Sequence, residues 1–334
     1  MKKRIKAAIL GFGGIGHCHA SQYAGLEHVE LVALCDINPE QLNKAAETIN
    51  LGDSGAIDLN SVRKYLSYEE MVKAEPELDM IDICLPTDLH CEYSCRAMKD
   101  GFHVICEKPM ALNSKDCRKM IRTSEATGKK LMIAQVLRFD KGFEVIRQAY
   151  HSGEYGKLLR LSMTRVGAYP SRLWFRDVKR SGGAMMDLHL HDLDFAVSLL
   201  GCPDALISFG VLGTSGGVDE SISNYIYDNG PIVTSECSWL RKQFQFSAAA
   251  VFENGTLEYG GGALTLHQTD KPTVTIELKD NRPYGAEVDY LAECVMKDVP
   301  PVRAMPESTM LTIKLIEAEL RSVAGGGKKI RLKK

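Results

Sequence analysis

The sequence predicts an α/β chain: a doubly wound parallel sheet of Rossmann type in the first part, then an α+β part built on a large open, mostly antiparallel sheet. Three observations predict it. Up to about Gln135, short continuously apolar runs alternate with helical patterns, as expected of parallel strands covered on both faces. Beyond that point strand follows strand through tight-turn signals such as Asp228-Asn229-Gly230 and Glu253-Asn254-Gly255, which mark antiparallel neighbours. The chain has 334 residues, enough to bury two cores. The expected division is 1–135 for a dinucleotide-binding domain and 136–334 for a substrate-binding and oligomerisation domain.

Taken in order, the first-part strands read IKAAIL, VELVALCD, MIDICLP and HVICEK, with helical stretches from about Ile15, Pro39, Leu89 and Ser114. The stretch Leu51–Tyr65 fits neither pattern and reads as a surface excursion before the helix SYEEMVK. In the second part a helix, Phe139–His151, precedes the strand LLRLSMTRV, and a helix follows over Gly182–Leu200. Seven strand-like runs come next, from ALISFGVLG to TVTIEL. Two helices, from about Tyr284 and Pro306, close the chain, and Gly325–Gly327 reads as a helix stop.

Composition excludes several function classes. Net charge is −2 and the basic residues are scattered, so neither nucleic acid nor an anionic membrane is expected as a partner. No apolar run is long enough to span a bilayer. The start, MKKRIKAAILGFGG, has the basic and apolar order of a secretory signal, but Ala7–Leu10 is short and runs straight into glycines, as a first strand would. Of ten cysteines, Cys35, Cys84 and Cys106 end apolar runs, where a free thiol behaves as a small hydrophobe. A cytoplasmic location is therefore expected. Cys91 and Cys95 could form half a metal site, but no second ligand pair follows at suitable spacing; two thiols on a helix face is the better reading. No metal is expected.

Gly11, Gly13 and Gly16 form a G-x-G-x-x-G, here GFGGIG. A strand precedes it and a helix follows, the setting in which such a turn admits a pyrophosphate and the helix N-terminus faces the phosphates. Asp36 ends the second strand twenty residues after Gly16, where a carboxylate accepts hydrogen bonds from a ribose. Ile37 and Asn38 follow, with no arginine to hold a 2′-phosphate. NAD is expected rather than NADP.

Two segments carry chemistry. Lys108, in HVICEKPM, lies at the carboxyl end of a strand, on the side where ligands of such sheets bind, and an ammonium there can stabilise a developing alkoxide. From this motif alone a lysine in a surface loop is an equal reading. In SGGAMMDLHLHDLDFAVSLLG, Asp187 and His191 are four apart, on one face if the segment is an α-helix. An imidazole suits proton exchange with an alcohol, and Asp187 could hold the substrate hydroxyl. Taken alone, His191 reads first as a satisfied core histidine. His189 falls on a different helix face, so Asp187, His189 and His191 poorly serve a three-ligand metal site.

Together these segments resemble the glucose–fructose oxidoreductase/inositol dehydrogenase (Gfo/Idh/MocA) family. AILGFGGIGHCH, DICLPTDLH, the EKP triplet and GGAMMDLHLHDLD followed by LLG match in order, and the resemblance runs through EVDYLAECVMKDVPP. It implies a Rossmann domain and an open-sheet domain that often forms the oligomer interface, here of a homodimer or homotetramer. It implies cofactor binding by Gly11, Phe12, Gly13, Gly14, Ile15, Asp36, the loop Leu85, Pro86, Thr87 to His90, and Glu107 with Lys108. It implies catalysis by Lys108, Asp187 and His191. One departure is His189, where many members have glycine. Arg138, Tyr169, Arg172 and Trp174, in segments leading into the second part, are candidate contacts to a hydroxylated ring.

The function expected is hydride exchange between nicotinamide and a secondary alcohol or ketone of a sugar, sugar derivative or cyclitol. Redox-assisted glycoside cleavage with tightly held NAD is an alternative, separable by whether a free alcohol yields net NADH. A non-enzymatic NAD-binding regulator has no need of the lysine, aspartate and histidine together.

Overall fold

A computed structural model describes residues 4–43 and 61–332. The chain forms two compact units, one of residues 1–136 with 282–309, the other of 137–281 with 310–334. The sequence reading divides the chain once; here the stretch 282–309 belongs with the first unit.

The first unit alternates strand and helix: β1 (Ile5–Leu10), α1 (Gly14–Gln22), β2 (Val29–Cys35), α2 (Pro39–Asn43), β3 (Arg63–Tyr65), α3 (Tyr68–Ala74), β4 (Met80–Ile83), α4 (Thr87–Lys99), β5 (His103–Glu107), α5 (Ser114–Thr127) and β6 (Leu131–Ala134). The sheet order is β3-β2-β1-β4-β5-β6, with every pair parallel. The order reverses between β1 and β4, so the crevice beyond their carboxyl ends is where a ligand is expected. The apolar strand residues are almost wholly buried, from Ala7, Ala8 and Ile9 in β1 to Val104, Ile105 and Cys106 in β5. That double-sided burial is why these strands read as unbroken apolar runs. Ser67 caps α3 by accepting from Glu70 N, and Asn113 caps α5 by accepting from Asp116 N, each satisfying a free N–H of a first turn.

Most of the stretch read as a surface excursion lies outside the described residues, but its end does not. Arg63–Tyr65 pairs with Ala33–Cys35 as the edge strand. Three residues at an edge need no apolar pattern, which is why the strand was not legible.

The second unit continues with α6 (Lys141–Ser152), β7 (Leu158–Ala168), a short α7 (Val178–Ser181), a π-helical turn (Met185–His189), α8 (Leu190–Leu200), β8 (Ala205–Leu212), β9 (Val218–Ile226), β10 (Ile232–Ser238), β11 (Leu240–Phe252), β12 (Gly255–Gly260), β13 (Ala263–His267) and β14 (Val274–Ile276). The closing elements are α9 (Pro283–Met296), in the first unit, then α10 (Pro306–Ala324) and β15 (Ile330–Arg331). Nine strands form one sheet in the order β14-β13-β12-β11-β7-β10-β9-β8-β15. Its pairs are antiparallel except β7 with β10. The turns that marked the hairpins are present: Asn229 adopts φ 60°, and Phe252 pairs with Gly255 across Glu253-Asn254.

The expected helix over Gly182–Leu200 needs correction. Gly182 and Gly183 have φ of 78° and 72°, outside the helical region, and the helix opens with the π-helical turn, in which Leu190 N–H donates to Met185 O five residues back. In the first unit α9 packs on α1, and Asp289 of α9 accepts from both the backbone N and Nδ1 of His28, at 2.9 Å each.

Candidate active site

The first unit presents a dinucleotide turn whose glycines are dictated by space. Gly11 has φ 95°, and a Cβ on it would lie 2.7 Å from Cys84 O; a Cβ on Gly16 would lie 2.2 Å from Gly11 O. The first keeps β1 and β4 close where the sheet order reverses, and the second lets α1 start against the turn. Gly13 stands at the N-cap of α1, Gly14 is the first helical residue and Ile15 is part-exposed. Phe12 is buried, its ring centroid 4.0 Å from that of His17. The Asp36 carboxylate accepts from Phe12 N at 2.7 Å and Asn38 N at 2.8 Å. It is thus aimed at the glycine turn and part-exposed. These features fit a dinucleotide: a tight backbone cradle at a helix N-terminus with a carboxylate beside it.

Leu85 and Pro86 are part-exposed and Thr87, the first residue of α4, is buried. His90 does not face outward. It is buried, with Nε2 2.8 Å from Leu85 O and Nδ1 2.8 Å from Pro109 O, so it bridges the loop after β4 to the loop after β5. Burial lowers its pKa, and a neutral ring can donate to only one of the two carbonyls at a time.

Glu107 also turns inward. It is 4 % exposed; one oxygen accepts from Lys108 N at 3.0 Å and the other faces His19 Nε2 at 3.0 Å. The opposite nitrogen of His19 lies 2.9 Å from Asp82, and Asp82 also accepts from Tyr23 OH at 3.0 Å. Burial opposes the charge on His19, but the Asp82 carboxylate outweighs it and its pKa is held well above the ordinary value. Its two ring nitrogens face two carboxylates, an arrangement that favours the charged ring. A third acid, Glu287 of α9, is fully buried 3.9 Å from His19 Nε2 and makes no hydrogen bond among the described residues. Burial raises its pKa well above the ordinary value; His19 opposes the rise, while Glu107 and Asp82 add to it. His19, Asp82 and Cys84 group their ligand-type atoms within 4.8 Å, as do His19, Glu107 and Glu287; the two ring nitrogens are already engaged at hydrogen-bonding distance. Sequence reading missed this cluster. Its signal was Asp82, a lone charge in the apolar run MIDICLP, since an unpaired buried aspartate is rare. Lys108 itself is part-exposed.

In the second unit the helix Leu190–Leu200 is buried along most of its length. Asp187 in the π-helical turn and His191 in the first turn of α8 are both part-exposed, while Met186, His189, Leu190 and Asp192 are buried. Asp192 and Asp194 have structural work: Arg165 reaches Asp192 at 2.8 Å, and Arg138 holds Asp194 through two bonds of 2.7 Å. Arg138 is 4 % exposed, its guanidinium engaged in that bidentate pair. Tyr169 OH donates to Asp219 and accepts from Thr214 N. Trp174 is part-exposed and stacks on Phe175 with centroids 3.8 Å apart, and Arg172 is exposed. His189, whose role the sequence left open, points into the interior of this unit.

Residues 5–135 match the family model described as "Oxidoreductase family, NAD-binding Rossmann fold", and residues 143–258 match the "GFO/IDH/MocA C-terminal domain". The chain belongs to the GFO/IDH/MocA oxidoreductase family. It is 33% identical over 197 residues to the inositol 2-dehydrogenase of Rhizobium meliloti, a match covering 59% of this chain and 55% of that protein. It is 25% identical over 235 residues to the myo-inositol 2-dehydrogenase of Thermotoga maritima, covering 68% of this chain and 66% of that one. Both matches span less than two thirds of the relative's length. In fold, it is similar to the aldose-aldose oxidoreductase of Caulobacter crescentus crystallised with glycerol: TM-score 0.85 at 22% identity, over 99% of this chain and 100% of that one. Among the described residues, no helix is long and apolar enough to cross a membrane.

Proposed function

We propose that this GFO/IDH/MocA member is an NAD-dependent dehydrogenase or reductase that exchanges a hydride between nicotinamide and a secondary alcohol or ketone carbon of a sugar, sugar derivative or cyclitol. The observation that carries the reading is the placement of Asp187 and His191: two polar side chains, four residues apart and both part-exposed, where a mostly buried helix begins.

In the oxidation direction His191 takes the hydroxyl proton. Lys108 stabilises the negative charge that develops on that oxygen. Asp187 orients the hydroxyl and the imidazole. Reduction reverses the same steps. Gly11 to Ile15, Asp36, Leu85 to Thr87 and Lys108 hold the cofactor, while His90 and Glu107 brace those loops from inside. Asp36 repels a 2′-phosphate, favouring NAD over NADP. Tyr169, Arg172 and Trp174 are the candidate substrate contacts; Arg138 acts through Asp194. In this reading 1–135 serves the cofactor and 136–334 the substrate. Ten free thiols, nine of them buried, suit a reducing cytoplasm.

The chain acts as a homodimer or homotetramer through the nine-stranded sheet. On it Phe209 pairs with Ile222, and they are 52% and 50% exposed, an apolar patch of the kind that oligomers cover. A monomer mass by light scattering at working concentration would remove this part. The activity itself is tested by following NAD reduction over inositols, aldoses, sugar acids and glycosides. Net NADH from a free polyol or sugar is expected; glycoside cleavage without net NADH would overturn the reading.

A further inference from the structure

His189 ends the π-helical turn and is fully buried. Its Nε2 lies 2.8 Å from Tyr225 OH on β9 and 2.9 Å from Glu319 Oε1 on α10, and its Nδ1 lies 3.3 Å from Ser235 Oγ on β10. Tyr225 OH donates to the same Glu319 oxygen at 2.5 Å. One histidine thus ties the turn to two strands and a helix. Glu319 is 130 residues away in sequence.

A buried imidazolium–carboxylate pair is a poor device for stability alone, since apolar residues of similar volume are commonly as stable or more so. It is a good device for selecting one backbone form. A π-helical turn carries an extra residue between hydrogen-bonded groups and is rarely held by local preference. Asp187 lies inside this turn and His191 just beyond it, so its form decides how the two side chains are aimed.

We propose that His189 is a positioning residue: paired with Glu319 and Tyr225, it locks the π-helical turn and thereby sets the relative orientation of Asp187 and His191. This rests on the reading of Asp187 and His191 as the acid–base pair. Burial opposes the charge on His189, but Glu319 and the Cys237 thiol outweigh it and raise its pKa well above the ordinary value, which favours the charged form of the lock.

The test compares the native protein, the double variant His189→Leu/Glu319→Leu and the milder Tyr225→Phe, all loaded with NADH. The double variant replaces both charges together and leaves no uncompensated ion. The first readout needs no substrate: NMR titration of the His191 ring. A displaced midpoint in the double variant, and a smaller displacement in Tyr225→Phe, is expected at near-native melting temperature. The second readout is NAD reduction with myo-inositol as probe. There kcat should fall about tenfold to a hundredfold, the scale of a misplaced reacting group, with KM little changed and the pH profile moved. Superimposable His191 titrations in native and variants would overturn the proposal. If the double variant does not fold, Tyr225→Phe decides by the same titration. His191→Ala is run alongside: if it keeps native turnover, the acid–base reading fails, while the titration still judges the lock.

Discussion

The two units each bury a histidine beneath a candidate catalytic segment, and they compensate its charge differently. His19, under Lys108, faces Asp82 and Glu107 with Glu287 close by. His189, under Asp187 and His191, faces one carboxylate, one phenol, one hydroxyl and the Cys237 thiol. The first cluster sets three acids around one imidazole, and the pKa of the third, Glu287, is raised well above the ordinary value. The second is matched one to one. Both clusters bury charge at a desolvation cost, and in both the part-exposed side chain next to the cluster, rather than the buried one, is the group suited to chemistry.

The largest effect should fall on those part-exposed groups. His191→Ala is expected to slow turnover on the order of 10²–10⁴-fold, the usual worth of a positioned proton-transfer group, with NADH affinity and melting temperature nearly unchanged. In the native protein, oxidation should rise with pH as the imidazole loses its proton, and the rise should disappear in the variant. Lys108→Ala should cost a comparable factor and also loosen the nicotinamide. Near-native turnover in His191→Ala would mean that the exposed histidine is no more catalytic than the buried ones.

Within the first cluster the comparison turns on which acid is charged. His19→Ala leaves Asp82 and Glu107 buried without their cation and should cost about 3–5 kcal/mol in urea unfolding. Glu287→Gln should cost less than about 1 kcal/mol, because an amide replaces a carboxyl whose charged form is disfavoured by burial. Equal losses from the two substitutions would show Glu287 to be ionised.

The two clusters should also share a pH signature. His19 and His189 are both raised above 6.5. Between 6.5 and the raised value the folded chain keeps a proton that the unfolded chain has lost. Their stabilisation is therefore complete below 6.5 and lost as pH climbs through the folded pKa. Glu287, raised above 4.5, acts with the same sign from its own ordinary value upward. His103 has the opposite sign: burial, then Lys129 and Lys130, lower it to about 4, so its contribution is complete above 6.5 and lost as pH falls toward about 4. The melting temperature is expected to decline from pH 6.5 to about 9, and less steeply in His189→Leu/Glu319→Leu. A melting temperature that rises over that range would break the assignment of charge to both histidines.

The smallest effect concerns the cofactor. Asp36→Ala should narrow the preference for NADH over NADPH by roughly tenfold, the worth of one charge-assisted hydrogen bond, as read from the two dissociation constants. Native protein binding NADPH as tightly as NADH would refute the preference.

Much of what depends on near neighbours in the chain was legible in the sequence. The apolar runs of β1, β2, β4 and β5 announced a sheet buried on both faces. The glycine turn at Gly11 and the turn at Asn229 each require a positive φ, and the residue types report it. What pairs across long separations was not legible. Nothing local shows that Glu107 turns inward to a histidine 88 residues before it, that Arg138 is held by Asp194 56 residues on, or that residues 282–309 belong to the first unit. Nor could helical spacing reveal the π-helical turn, since one added residue leaves the apolar pattern of MMDLHL readable as an ordinary helix. Local conformational preference is written residue by residue. The partner of a buried charge is chosen only when the chain has folded and left that charge a single place to be neutralised.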